Sequence, residues 1–270
     1  MTTSQFLISG WSWNPIVIGI SMAALAIYGA VFRGERRIWF VLAALAVFLL
    51  ALVSPINALA DGYLFSAHML QHILLLLIVP ALLLLSIPRE FAFAQRTGAL
   101  ATKRARVCQP AAVLAHPLAG WLAGVGSMWL WHAPALCNAA ATSKPVYAAQ
   151  TISLLAFGSV FWWQVLAPRE EDRLSPPAAV LYLFTACTAC SALGIILTFS
   201  PVPVCRVYMH VQDRLGLLGT IRGAWAITPE KDQQLGGLLM WVPMCTIYLG
   251  AVLAQLARWF SLGRTTEHAR

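Results

Sequence analysis

Long apolar runs separated by short polar stretches recur along the whole chain. Seven of them, at about 14–32, 38–54, 66–87, 115–132, 147–167, 178–200 and 235–259, approach the roughly 20 residues that a helix needs to cross a bilayer. Lipid offers no partner to a free backbone N–H or C=O, so each run reads as helix. The run at 115–132 is short, and its Trp121, Trp129 and Trp131 suit membrane interfaces. The pattern predicts an all-α, polytopic membrane protein with seven transmembrane helices in a single domain over 1–270. No soluble domain, low-complexity tract or clear internal repeat stands out. The largest polar interruption, 201–234, is long enough for a small cap or a surface helix.

Composition agrees with this pattern. The chain is 60% hydrophobic and 10% charged, with a mean hydropathy of +0.74, whereas a soluble domain carries about 25% charged residues. Residues 1–32 show no basic region ahead of the first apolar stretch, so the first span is expected to be retained rather than cleaved. The net charge of +8 would suit nucleic acid, but the basic residues sort by loop, which is a topology signal instead. Thirteen of the 18 fall after the first, third, fifth and seventh runs: Arg33, Arg36 and Arg37; Arg89 through Arg106; Arg169 and Arg173; Arg258, Arg264 and Arg270. The other side holds Lys144, Arg206, Arg214, Arg222 and Lys231. The richer side is expected to be cytoplasmic, which puts the N-terminus outside and the C-terminus in the cytoplasm. The lipid bilayer is the expected solvent, with no nucleic-acid partner.

This orientation gathers the chemistry at one end. His68 and His72 stand at i and i+4, on one helix face, roughly 3 and 9 Å below Ser66 at 1.5 Å per residue. His132 ends the fourth span at the same outer side, and Asp61, Met209, His210 and Asp232 fall there too; of six histidines only His116 and His268 lie at the other end. Imidazole and thioether at one depth suit a transition metal, with sulfur favouring Cu(I). His68 and His72 supply half a site, which a second helix must complete. His132 is the first candidate, followed by Asp232, Met240 or a cysteine, with Gln71 placed to orient a ligand. Ordinary roles compete: a hydrogen bond between helices for the pair, a helix cap or interface for His132, packing for Met240 and Met244, and a helix-dipole contact for Asp232. Cys187 and Cys190 form a Cys-x-x-Cys on one face of the sixth span, and Cys245 falls at similar depth in the seventh. They read as a Cu(I) relay or, preferably, as packing residues. Cys137 and Cys205, in outer loops, are candidates for a disulfide in an oxidising compartment.

Several segments resemble the CtaG family of cytochrome c oxidase assembly factors, associated with caa-type oxidases. They are Ser54-Pro55-Ile56, Phe65-Ser66-Ala67-His68-Met69-Leu70-Gln71-His72, Trp131-His132-Ala133-Pro134, Phe161-Trp162-Trp163, Leu197-Thr198-Phe199-Ser200-Pro201 and Asp232-Gln233-Gln234-Leu235-Gly236-Gly237, running into Met240-Trp241-Val242-Pro243. Their order and spacing cover most of the chain. The resemblance implies a non-enzymatic, multi-span inner-membrane protein that handles copper for the catalytic subunit of cytochrome c oxidase. It carries the histidine motif onto His68, His72 and His132 and the acidic segment onto Asp232 and Gln233. Relatives often place histidines at the outer start of span five, where this chain has Tyr147 and Thr151. Cys137, Cys187 and Cys190 could compensate with softer ligands.

The resulting expectation is a shallow, partly open, outward-facing copper site. One rival is a heme-binding electron carrier, with His132 and one of the pair as axial ligands. Another is a copper importer using Cys187, Cys190 and Cys245. A retinal-type receptor fails, because no span holds an interior lysine and Lys231 precedes the last one.

Overall fold

A computed structural model describes residues 1–32, 36–88 and 116–267. Arg33, Arg89 through Arg106, Cys108, His268 and Arg270 lie outside the described residues. Every regular element among the described residues is helical: α1 (Thr3–Ser9), α2 (Pro15–Val31), α3 (Ile38–Leu52), α4 (Pro55–Ala60), α5 (Phe65–Ser86), α6 (Pro117–Trp131), α7 (Pro134–Thr142), α8 (Lys144–Leu166), α9 (Pro176–Phe199) and α10 (Pro229–Glu267). Proline opens most of these, at a position where its missing N–H is harmless and its fixed φ suits the first turn. Among the described residues, four helices have the length and apolarity to cross a membrane: α5, α8, α9 and Pro229–Ser261 of α10. The apolar α2 and α3 are shorter, with 17 and 15 residues, and α6 has 15. The last helix starts six residues before the expected 235. Pro229 opens it, and Glu230 and Asp232 in its first turn favour that end of the helix dipole.

Helix α5 is the axis of the bundle. It is α-helical over Phe65–Ile73, widens to a π-helix over Leu74–Ile78, and resumes as α from Val79 to Ser86. Pro80 explains the widening: it has no N–H to offer the Leu76 carbonyl four residues earlier, and its ring crowds that carbonyl. Helix α8 crosses at this point, where a Cβ on Gly158 would run into the Leu76 carbonyl and the Pro80 ring. Small residues make the other close crossings as well. Gly120 and Gly124 of α6 lie against Gln164 and Phe161 of α8, while Gly194 and Gly237 bring α9 and α10 together at Trp241 and Thr198.

The 201–228 segment forms a cap together with α1, α4 and the start of α5. Phe6, Ala60, Tyr63, Leu64, Ala67, Leu217 and Ile221 are its buried core. The Asp213 carboxylate accepts from Leu217 N (2.7 Å), Leu218 N and the Tyr63 hydroxyl. The Trp225 indole donates to Thr3 Oγ1, and the Met1 amino group to Gly216 O. Cys137 and Cys205 form the expected disulfide, with Cα atoms 5.7 Å apart, binding α7 to the cap. Val207 N donating to Asn138 Oδ1 adds a second tie.

Candidate metal site

The start of α5 is held from another helix. Its N-cap, Leu64, has no side-chain capping bond, so first-turn N–H groups need an outside acceptor. Asp232 of α10 supplies it: the carboxylate accepts from Phe65 N at 2.6 Å, Ser66 N at 3.0 Å and Ser66 Oγ at 2.6 Å. A negative group there also favours the helix dipole. Asp232, a candidate ligand from the sequence, is thus occupied as a helix cap. Gln233 is also engaged elsewhere: its Oε1 accepts from Val204 N, and its Nε2 donates to Ser200 O and Val202 O, fastening the cap to α10.

One turn below the capped end, the His68 and His72 rings stand 4.6 Å apart between centroids. His132, the C-cap of α6, brings its ring edge-on to His72 at 5.1 Å. The three imidazoles expected to meet do so. Their burial differs from the expectation: His68, His72 and His132 are 1%, 1% and 4% exposed, so the site is closed rather than shallow and open. The cap accounts for this. Tyr208 packs edge-on to Phe65, stands 6.0 Å from the His68 ring and donates its hydroxyl to Ala60 O at 2.8 Å. Burial pushes its phenol well above the ordinary range, with the charges of Tyr147, Asp232 and Asp61 adding to the shift, so it remains a donor.

The ring nitrogens are unequal. His132 Nδ1 lies 2.6 Å from Met128 O; a carbonyl only accepts, so the proton is on Nδ1. The other nitrogen, Nε2, then presents a lone pair, and it stands 2.9 Å from Met69 Sδ, itself a lone-pair donor. Both nitrogens of His68 and both of His72 are buried without a hydrogen-bond partner. The Gln150 amide comes up to His72 without closing a hydrogen bond, and its Nε2 is likewise unpartnered.

Gln71 braces the pair from behind, donating to Ala51 O at 2.7 Å and Asn57 Oδ1 at 3.1 Å. Tyr147 donates to Gln71 Oε1 and Asn57 Oδ1, and its ring lies 6.4 Å from His68. A phenol therefore closes the α8 side of the site. Met240 is fully buried in the main core, one turn beyond Gly236, which faces Phe65 and Met69. Met69, Gln150 and Tyr208 escaped the sequence reading. Met69 is one residue from His68 but off the histidine face, and only the arrival of α6 reveals its role. Cys187 and Cys190 belong to a separate cluster between α9 and α10. His210 is exposed in the cap, and His116 accepts from Leu118 N at the start of α6. Among the described residues, no group of three or more His, Cys, Asp or Glu is placed so as to hold a metal ion.

The sequence model of the family described as cytochrome c oxidase caa3 assembly factor (Caa3_CtaG) matches residues 20–261, nearly the whole chain. No curated protein and no solved structure matches it. The matched range contains the histidine cluster, the Asp232 cap and the four long apolar helices, and on that match the chain belongs to the caa3 cytochrome c oxidase assembly factor family.

Proposed function

We propose that this chain is a seven-helix protein of the bacterial inner membrane, N-terminus outside and C-terminus cytoplasmic. On this reading it binds copper, as Cu(I), at the outer end of the bundle and passes it to the catalytic subunit of the oxidase without being an enzyme. The four partnerless nitrogens of His68 and His72 carry the proposal. A buried polar atom without a partner costs about 1–3 kcal/mol, and four together at the centre of a bundle suit a ligand that supplies the missing bonds. His132 Nε2 and Met69 Sδ face each other with no proton to share, which suits a soft cation. The Lys and Arg distribution supports the orientation. Helices α2, α3 and α6 then cross as the shorter members of the seven, by local thinning of the bilayer.

The chain's own residues prepare the cargo site. Gln71, Asn57 and Tyr147 fix the α8 side, Asp232 fixes the first turn of α5, and Tyr208 excludes water. Because the site is closed, loading and release require the cap to open. The heme reading has less support: His72 and His132 are in edge-to-face contact at 5.1 Å, which leaves no slot for a porphyrin between them.

The test is X-ray absorption with copper analysis on Cu(I)-loaded full-length protein. Wild type should show nitrogen scatterers at copper, and His68→Ala/His72→Ala should lose them together with one equivalent of metal. Equal copper and identical spectra in both proteins would remove the proposal.

A further inference from the structure

A second sulfur cluster lies away from the histidines. Helices α9 and α10 pack closely, with Gly194 and Gly237 each admitting the backbone of the other helix. Next to that seam, Cys187 Sγ of α9 lies 3.4 Å from Cys245 Sγ of α10. Ser191 Oγ is 3.0 Å from Cys245 Sγ and donates to Cys187 O at 2.7 Å. The hydrogens order into one chain: Cys187 S–H to Cys245, Cys245 S–H to Ser191, and Ser191 O–H to the carbonyl. Cys190, the other half of the Cys-x-x-Cys, is buried and turned away, with its sulfur 3.9 Å from the Tyr248 hydroxyl. The natural pair is therefore Cys187 with Cys245, across two helices, and both are partly buried.

We propose that Cys187 and Cys245 form a two-coordinate thiolate site for a soft monovalent cation, Cu(I), between α9 and α10, independent of the histidine cluster. Among the described residues no third His, Cys, Asp or Glu joins the two sulfurs as a metal ligand, so the pair does not meet the four-ligand demand of zinc, whereas soft sulfur donors select Cu(I). A monovalent ion also leaves the least charge: the two S–H bonds break, two Cu–S bonds form, two protons leave, no electron moves, and the site carries a single negative charge. Ser191 answers that charge by turning its hydroxyl from the Cys187 carbonyl onto the Cys245 sulfur. Metal–sulfur bonds of about 2.3 Å, taking zinc as the guide, set the sulfurs somewhat further apart than in the empty pair, a change that rotation about either Cys χ1 supplies.

The experiment uses purified full-length protein carrying Cys108→Ala and His68→Ala/His72→Ala, so that neither Cys108 nor the His68/His72 pair contributes. Cu(I), buffered by a chromogenic chelator, is titrated in, and thiols are then counted by maleimide alkylation and intact mass. The expected result is one equivalent bound and two thiols protected. Adding Cys187→Ser or Cys245→Ser should abolish both effects, and Cys190→Ser should leave both intact. Retention of the Cys137–Cys205 disulfide on a non-reducing gel verifies folding of each variant. Alkylation unchanged by Cu(I) would overturn the proposal, as would a Cys190→Ser protein that loses the metal equally. So would a product two hydrogens lighter without copper, which would mean a redox disulfide. Because His68 and His72 are already replaced, failure here leaves the histidine proposal untouched, and the reverse also holds.

Discussion

Asp232→Ala separates two roles of a buried carboxylate that a sequence cannot distinguish. In the wild-type protein Asp232 is 1% exposed and accepts from two backbone N–H groups and one hydroxyl at the start of α5. Alanine removes all three acceptances. Phe65 N–H is buried and would be left orphaned at about 2 kcal/mol; Ser66 N–H is only partly buried, can recruit water and costs about 1 kcal/mol; the Ser66 hydroxyl rotates to another partner. The total of about 3 kcal/mol exceeds the usual loss of an N-cap, about 1 kcal/mol. By the scaling for domains of this size it lowers the melting temperature by roughly 6–12 °C. Asp232→Asn keeps one amide oxygen for the two N–H groups and should cost about 1 kcal/mol, since hydrogen bonds to neutral groups are about half as strong. The assays are thermal unfolding in detergent and hydrogen exchange at Phe65 and Ser66, with copper analysis alongside. A cap predicts lost stability and lost protection in Asp232→Ala, with full copper retention in Asp232→Asn. An Asp232→Asn protein of wild-type stability that has lost its copper would refute the capping argument and make Asp232 a ligand.

Three other outcomes follow from the geometry. Met69→Leu is nearly isosteric, so it should change stability by less than about 1.5 kcal/mol while weakening Cu(I) binding about tenfold, or about 1.4 kcal/mol; a chelator competition showing unchanged affinity would exclude the thioether from the site. Gly158→Ala pushes a Cβ into the Leu76 carbonyl at the π-helical turn and should destabilise the bundle by about 1–3 kcal/mol, read as a lower melting temperature in detergent. Burial pulls the Asp213 carboxyl upward, but donors from Leu217, Leu218 and Tyr63 outweigh it and hold the group below its ordinary 3.8. Its contribution to the cap is therefore complete above that value and is lost as pH falls through the lowered one; proteolysis of the cap should rise only at acid pH, and equal acid sensitivity in Asp213→Asn would count against this.

The long helices were legible because lipid leaves an apolar run few alternatives, and proline marks where most of them start. The ends of the histidine site were legible for a simpler reason: His68 and His72 are four residues apart on one helix, and the span order returns His132 to the same end. What escaped depends on contacts between distant segments. The short α1, α4 and α7 carry little periodic signal. The closure of the site depends on Tyr208 descending from a segment with no helix long enough to announce it. Asp232 is a candidate ligand in sequence because the span order brings it to the same end as three histidines, with a helix-dipole role as the alternative; its capping contacts appear only when α10 approaches the uncapped Leu64 end. The pairing of Cys187 is likewise set by helix packing: spacing suggests Cys190, but the nearby sulfur comes from Cys245, 58 residues further on.

A disulfide persists only in an oxidising compartment. The Cys137–Cys205 bond ties α7 to the cap, and under the proposed orientation it would write the sidedness of the membrane into the covalent structure. In that orientation the cap faces the periplasm. A chain inserted upside down would have the same helices and the same mass to within two hydrogens, but its two thiols would stay reduced. If the proposed orientation holds, the unmodified protein carries its own orientation record, and the inverted fraction of a preparation is the fraction in which Cys137 and Cys205 are unpaired, readable on a non-reducing gel without a fusion partner.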